Sequence, residues 1–408
     1  MYDVNLIRND FPMLKKQING KPLIFLDNAS TTLKPKVVIK AVNEYLEELT
    51  SNAHRGDYDI AHLVDLRVEE TRANVANFIN ADANEVVFTS GDSMSLNLVA
   101  YGYGVCNLKK GDEILVSEAE HASNLLPWFK VSEITGAIIR YIPLDKEGRL
   151  TADNVKETIT DRTKVVSIAH ITNVLGFIID IKEIAKIVHE KNAILVVDGA
   201  QSVPHIKTDV KDLNIDFLTF SSHKMIGPTG LGVLYGKYEL LEKMEPLLTG
   251  GGMNSRFNMC GEVKYYKPPR KFEAGTLNLE GIFGLNAAIN YLRNLGMDNI
   301  RNHETEIRSY AIKKLKELDN VIIYNETAES GIITLNIKGV FAQDAATFFN
   351  SYGIAVRSGQ HCAKNLTNFL KTHSTIRMSV YLYTTKDEID TFVEVCKKGG
   401  NFLDVYFK

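Results

Sequence analysis

Apolar, β-branched runs alternate along much of the chain with segments of helical period. "EVVFTSG" (85–91) leads into "DSMSLNLVAYGYG", and "DEILVSEAEH" (112–121) leads into "ASNLLPWFKVSE". "KVVSIAH" (164–170) precedes "IKEIAKIVHEKN", where Ile181, Ile184, Ala185 and Val188 share one helical face. "AILVVDGA" (193–200), "DFLTFSSH" (216–223) and "GLGVLYGK" (230–237) follow. Nearly continuous apolar strands with helical crossovers predict an α/β fold around a mostly parallel sheet covered on both faces. Ligands of such sheets sit beyond the carboxyl ends of the strands. Here those ends are polar: Ser90, His121, His170, Asp198, and Ser221 to Lys224.

The texture changes near residue 290. "HETEIRSYAIKKLKEL" and "KDEIDTFVEVCKKG" read as helices, and "VIIYN", "GIITLNI" and "IAVRSG" as short strands. The pattern predicts a large domain over 20–290 and a smaller α+β domain made of 1–19 and 291–408. The irregular stretch 249–269 is expected to form a loop or hairpin over the site.

Composition narrows the function. The 408 residues carry a formal net charge of −3, which gives nucleic acid or a membrane surface no electrostatic reason to bind. No apolar stretch is long enough to span a bilayer, and charge interrupts every apolar run in the first twenty residues, so a cytoplasmic location is expected. Cys106, Cys260, Cys362 and Cys396 lie far apart, which argues against a disulfide framework or a structural metal.

The chemistry gathers around "SSHKMIGPTG" (221–230), which puts Lys224 just past an apolar run. A lysine desolvated there is either ion-paired, with Asp198 the obvious acid, or an amine nucleophile that forms a Schiff base beside a carboxylate facing a pyridinium nitrogen. "SGDSMS" (90–95) joins a strand to a helix, where free N–H groups favour a phosphate. His121, at another strand end, is placed either to stack on a planar ring or to sit satisfied in the core. The glycine-rich loops of nucleotide sites are absent from the sequence.

The order "FLDNAST", "NAHRG", "EAEHASN", "NVLG", "VVDGAQS", "SSHKMIGPTG", "KFEAGTLN", "RSGQHCA" and "STIRMS" resembles the pyridoxal-phosphate-dependent cysteine desulfurases of the class V aminotransferase family. The short separation of Cys362 from Arg377 resembles the Suf-type group. The resemblance implies fold type I, with a seven-stranded sheet in the large domain and the acceptor cysteine loop in the small one. It implies pyridoxal 5′-phosphate tethered to Lys224, with Asp198 on the ring nitrogen, Gln201 on the ring hydroxyl and His121 stacked on the ring. Asp92, Ser93, Ser221 and His223 would surround the phosphate, joined by Thr276 from the second subunit of a homodimer. Arg377 and Asn173, with Ala29 and His54, would receive L-cysteine. Cys362 would take the sulfur as a persulfide, leaving L-alanine, and pass it to a sulfur-acceptor protein of the Suf system for iron–sulfur cluster assembly. His361 and Arg357 are near enough in sequence to assist its thiolate.

Three positions depart from that pattern. Asp92 stands where a threonine is usual; a helix N-cap, its side chain turned to its own backbone, is the favoured reading over a carboxylate facing the phosphate. Tyr58 and Gln360 each replace a frequent histidine, the second beside the acceptor cysteine. A selenocysteine lyase or a sulfinate-acting relative would need the same apparatus. A transaminase has no use for "SGQHCA", and a non-catalytic scaffold keeping this fold is the rival of a different class.

Overall fold

The computed structural model describes residues 2–54 and 56–399. Its larger sheet has seven strands: β1 (Val86–Thr89), β2 (Glu113–Ser117), β3 (Ile138–Ile142), β4 (Thr163–Ala169), β5 (Ile194–Asp198), β6 (Phe217–Ser221) and β7 (Gly232–Gly236). In space they run β1-β7-β6-β5-β4-β2-β3. Only β7 is antiparallel to its neighbours, β1 and β6; the other pairs are parallel, as their apolar runs predict. The five residues of each of β2, β5 and β6 are all buried.

Helices cover both faces. α1 (Lys36–Glu48) and α2 (Asp59–Ile79) pack on α6 (Leu279–Leu295), while α3 (Asp92–Val99) and α4 (Ala122–Thr135) begin where β1 and β2 end, and α5 (Ile181–Glu190) precedes β5. Ile181, Ile184, Ala185 and Val188 of α5 are buried as one stripe. Gly136, in the left-handed region at φ 76°, ends α4, a conformation a Cβ would disfavour.

A second, four-stranded antiparallel sheet holds β8 (Val321–Ile323), β9 (Ile332–Ile337), β10 (Arg357–Gly359) and β11 (Thr375–Ser379), ordered β8-β9-β11-β10. α7 (Met297–Leu315), α8 (Ala342–Ser351) and α9 (Lys386–Lys397) pack around it. The N-terminal segment divides its contacts. Ile7 and Phe11 join the larger apolar core, whereas Ile24 and Leu26 join the smaller, where Ile24 and Phe25 pair with Ile354 and Ala355. Arg8 ties the start of the chain to its C-terminal part through Glu388, at 3.0 Å, and through the Tyr383 carbonyl. Residues 254–257 and 263–265 form the expected hairpin, with Phe257 and Met259 exposed.

Candidate active site

Lys224 closes a short turn after β6. Ser222 O accepts from Met225 N and Gly227 N, and a Cβ on Gly227 would lie 2.1 Å from Ser222 Oγ, so glycine is required for the turn to close. Ile226 adopts φ +59°, uncommon for a β-branched residue, and Thr32 Oγ1 accepts its N–H at 2.8 Å. The turn is thus clamped from the N-terminal segment, where Thr32 N and Lys34 Nζ also donate to the His223 carbonyl.

The clamped lysine borders a cavity of about 200 Å³ lined by the ends of β4, β5 and β6, the starts of α3 and α4, and the small domain. Lys224 is half-buried. Burial lowers its pKa, Asp198 and Asp92 partly oppose that shift, and Arg377 and Arg357 reinforce it. Among the described residues no carboxylate lies within 4.0 Å of Nζ, so a tight buried ion pair is not what holds Lys224 here.

Asp198, at the end of β5, keeps one oxygen on Ala200 N at 2.9 Å and borders the cavity. Gln201 donates to the Ala29 carbonyl at 2.7 Å and leaves its buried Oε1 without a partner among the described residues. His121 Nδ1 accepts from Ser123 N at 3.1 Å, and burial first of all lowers its pKa, so a neutral imidazole borders the cavity. Burial and the two lysines, Lys224 and Lys34, take His223 down to about 4. Ser93 and Ser221 line the same end.

Asp92 corrects an expectation. Gly91 occupies the N-cap of α3 and makes no side-chain bond, while Asp92 is the first helical residue. Its N–H donates to Ser221 Oγ at 2.8 Å, and its buried Oδ1, with the Thr219 hydroxyl nearby, makes no well-formed hydrogen bond among the described residues, so the side chain does not turn back to cap its own helix. Burial, then Asp198, pushes its carboxyl up to about 7.

At the mouth, the β10–β11 register sets Arg357 opposite Arg377. Both donate to Ser30 Oγ, at 3.1 and 2.8 Å, and Arg377 also donates to the Asn173 carbonyl at 2.7 Å. Asp27 stands 3.5 Å from Arg377, whose buried Nε has no partner among the described residues. Two facing guanidiniums on neighbouring strands repel one another, an arrangement suited to an anion lying between them. Burial lowers the Arg377 pKa to about 10, which leaves it cationic at neutral pH.

Cys362 is exposed, on a loop where His361 and Cys362 take φ 52° and 58°. The loop docks on the start of α4 and on the segment after β4: Ala122 N donates to the Cys362 carbonyl and Asn173 Nδ2 to that of His361, each at 2.8 Å. Arg357 Nη2 lies 3.7 Å from Sγ. His361 is different. Its Nε2 is within hydrogen-bond distance of Thr375, and burial takes its pKa to about 3, so it supplies no charge to the thiol.

Ala29, Asp92, Ser93, His121, Asn173, Asp198, Gln201, Ser221, His223, Lys224 and Arg377 therefore share one cavity. Of the other expected residues, Cys362 stands beside the cavity-lining Arg357, and two lie elsewhere in this chain. Thr276 is exposed in a groove beside Met94, Leu248 and Phe272, and His54 is tied to Asp65 at 3.5 Å against Gly252 and Gly275. Arg55 of "NAHRG" lies outside the described residues. Ser30 and Ser123 line the cavity without having been singled out, since nothing in their local sequence distinguishes them from capping serines. The hairpin at 254–265 contributes nothing to the lining of its own chain's cavity.

The described side chains fit pyridoxal phosphate: a nucleophilic amine, a carboxylate, a flat imidazole, unpartnered Gln201 Oε1, and neutral hydroxyls at a helix start. Residues 24–392 match the family Aminotransferase class-V. A probable cysteine desulfurase of Halalkalibacterium halodurans is 44% identical over 98% of this chain and 99% of its own length. One from Staphylococcus aureus is 42% identical over 100% and 99%. Among crystal structures, an Escherichia coli cysteine desulfurase superposes with a TM-score of 0.91 at 34% identity, covering 99% of both chains. The apo cysteine desulfurase of Thermococcus onnurineus gives 0.89 at 37%, covering 95% of this chain and 98% of its own. With the lysine, the facing arginines and the cysteine loop all in place, this chain belongs to the cysteine desulfurases of the class V aminotransferase family.

Proposed function

We propose that the protein converts L-cysteine to L-alanine with pyridoxal 5′-phosphate on Lys224, receiving the sulfur on Cys362 and handing it to an acceptor protein. The carrying observation is a half-buried Lys224, without an acid partner among the described residues, in a cavity bounded by Asp198, His121 and Gln201, with an anion clamp and a thiol at its mouth. Bound there, the cofactor supplies an electron-withdrawing ring that stabilises a carbanion at the substrate's Cα.

The chain's own residues supply the rest. Arg377 and Asn173, with Arg357 beside them, fix the substrate carboxylate, orienting the Cα–H bond. Lys224 Nζ, its basicity lowered by burial, is the group that takes and returns the Cα proton. Cys362 attacks the substrate sulfur as a thiolate, with Arg357 Nη2 beside it. One S–S bond forms and one C–S bond breaks. The electron pair remains with the three-carbon fragment, which takes up protons as alanine, and the enzyme keeps a persulfide. The exchange balances without an oxidant.

Asp198, Gln201 and His121 would hold the ring, and Asp92, Ser93, Ser221 and His223 the phosphate end. The large unit, expected over 20–290, would carry the cofactor, and the small one, expected over 1–19 with 291–408, the acceptor loop, although Ile7 and Phe11 pack in the larger core and Ile24 and Leu26 in the smaller. A homodimer is supported by exposed apolar side chains on α1 and α2 (Leu46, Ile60, Leu63, Leu66) and by Phe257 and Met259 on the hairpin. In that assembly the exposed Thr276 would complete a neighbouring phosphate site, and His54 a neighbouring substrate site. The short cysteine loop supports an acceptor of the Suf type and a role in iron–sulfur cluster assembly. No helix of the described residues is long and apolar enough to cross a membrane, which is compatible with work in the cytoplasm.

Alanine release from cysteine tests the reading. The parent is expected to release alanine, Lys224→Ala to lose both the lysine-imine absorbance and activity, and Cys362→Ala to keep the absorbance and lose alanine formation. Alanine made as fast by Cys362→Ala with a thiol present would remove the persulfide step.

A further inference from the structure

Asp92 lines the cavity with a buried oxygen that makes no well-formed hydrogen bond among the described residues, the Thr219 hydroxyl standing nearby, and nothing in the reaction above uses its acidity. Among the described residues the cations that border the cavity are Lys224, Arg357 and Arg377, and the last two are bound to Ser30 at the mouth. Around Ser93 and Ser221 the donors are neutral, because His223 carries no charge near neutral pH. An anion delivered there meets hydroxyls, the start of α3, and two acidic side chains, Asp92 and Asp198.

We propose, resting on the pyridoxal phosphate reading above, that Asp92 is a neutral carboxylic acid in the loaded enzyme, so that capture of the phosphate-bearing cofactor is coupled to one proton on this side chain. The protonated group donates a hydrogen bond where a carboxylate would repel the anion. A threonine at this place would give a hydroxyl at every pH; Asp92 gives one only while protonated.

The sign follows from the burial of the carboxyl, which moves its titration up to about 7. Below that pH the proton is already present and binding is unaffected. Above it the proton must be recruited, and affinity for the phosphorylated cofactor falls by about tenfold per pH unit. Asp198 from β5, His223 and Lys224 from the turn after β6, His121 before α4, and Arg357 and Arg377 from the small domain face the same cavity. All of them persist in an Asp92 variant, so comparison with the parent isolates Asp92.

The test titrates full-length apoprotein with pyridoxal 5′-phosphate and with pyridoxal, following lysine-imine absorbance from about pH 6 to about pH 9. In the parent, the preference for the phosphorylated compound is expected to fall by up to about tenfold per pH unit above neutrality, relative to Asp92→Asn. Asp92→Thr, an independent replacement should Asn fold poorly, is expected to match the Asn variant. Identical pH dependence in the parent and in either folded variant overturns the proposal while leaving the cofactor reading intact. Absence of an imine with both compounds in the parent overturns the cofactor reading, and this proposal with it.

Discussion

Replacing Arg377 by lysine tests the anion clamp while keeping the charge. The guanidinium is almost fully buried, donating to the Asn173 carbonyl at 2.7 Å and to Ser30 Oγ at 2.8 Å, with Asp27 at 3.5 Å. Removing the charge outright would strand Asp27 and expose a cavity, at a cost in folding of about 3–5 kcal/mol, so alanine is a poor probe. Lysine retains the cation but not the planar fork, and cannot serve Asn173, Ser30 and a carboxylate together. One lost charge-assisted hydrogen bond is worth about 1.5–3 kcal/mol, or about 10- to 150-fold in kcat/KM for cysteine. The assay is alanine release from cysteine, set beside ethylamine release from cysteamine, which has the thiol and amine but no carboxylate. Cysteine turnover is expected to fall within that range and any residual turnover of cysteamine to stay level. Equal losses on both substrates, or none on cysteine, would refute the clamp.

Arg357→Met removes the cation 3.7 Å from Cys362 Sγ; single-turnover persulfide formation is expected to slow by about tenfold or more, while lysine-imine absorbance persists. Unchanged persulfide formation, followed by rapid quench and mass spectrometry, would remove Arg357 from that step. His361→Asn is expected to destabilise the fold by about 1–3 kcal/mol through loss of the Thr375 contact, read as a lower denaturation midpoint. Because His361 is neutral from about pH 4 upward, the pH profile of sulfur transfer above that range should not move; a shifted limb would give His361 a role in activating the thiol.

Much of the fold was legible because buried parallel strands read as unbroken apolar runs, and their polar ends mark one edge of the sheet. Asp198 and Lys224 sit at two such ends, so the site could be located before any coordinates. β7 is the exception: "GLGVLYGK" reads like its neighbours, and only pairing shows it to be antiparallel. Asp92 misled for a local reason. An aspartate one residue after glycine looks like an N-cap, but Gly91, at φ 155°, takes that place and leaves the acid inside the first turn. Arg357 was legible as a residue near Cys362, but its pairing with Arg377 depends on a strand register that joins positions twenty apart. Ser30 becomes visible only when the N-terminal segment crosses the mouth of the cavity to reach both arginines.

The most direct measurement is the mass of the Cys362 peptide after the holoenzyme is exposed to L-cysteine without an acceptor, quenched and digested. The account predicts one added sulfur on Cys362, in step with one alanine released per site, and neither product in Lys224→Ala. Alanine released with Cys362 unmodified, or a sulfur gained equally without Lys224, would contradict it.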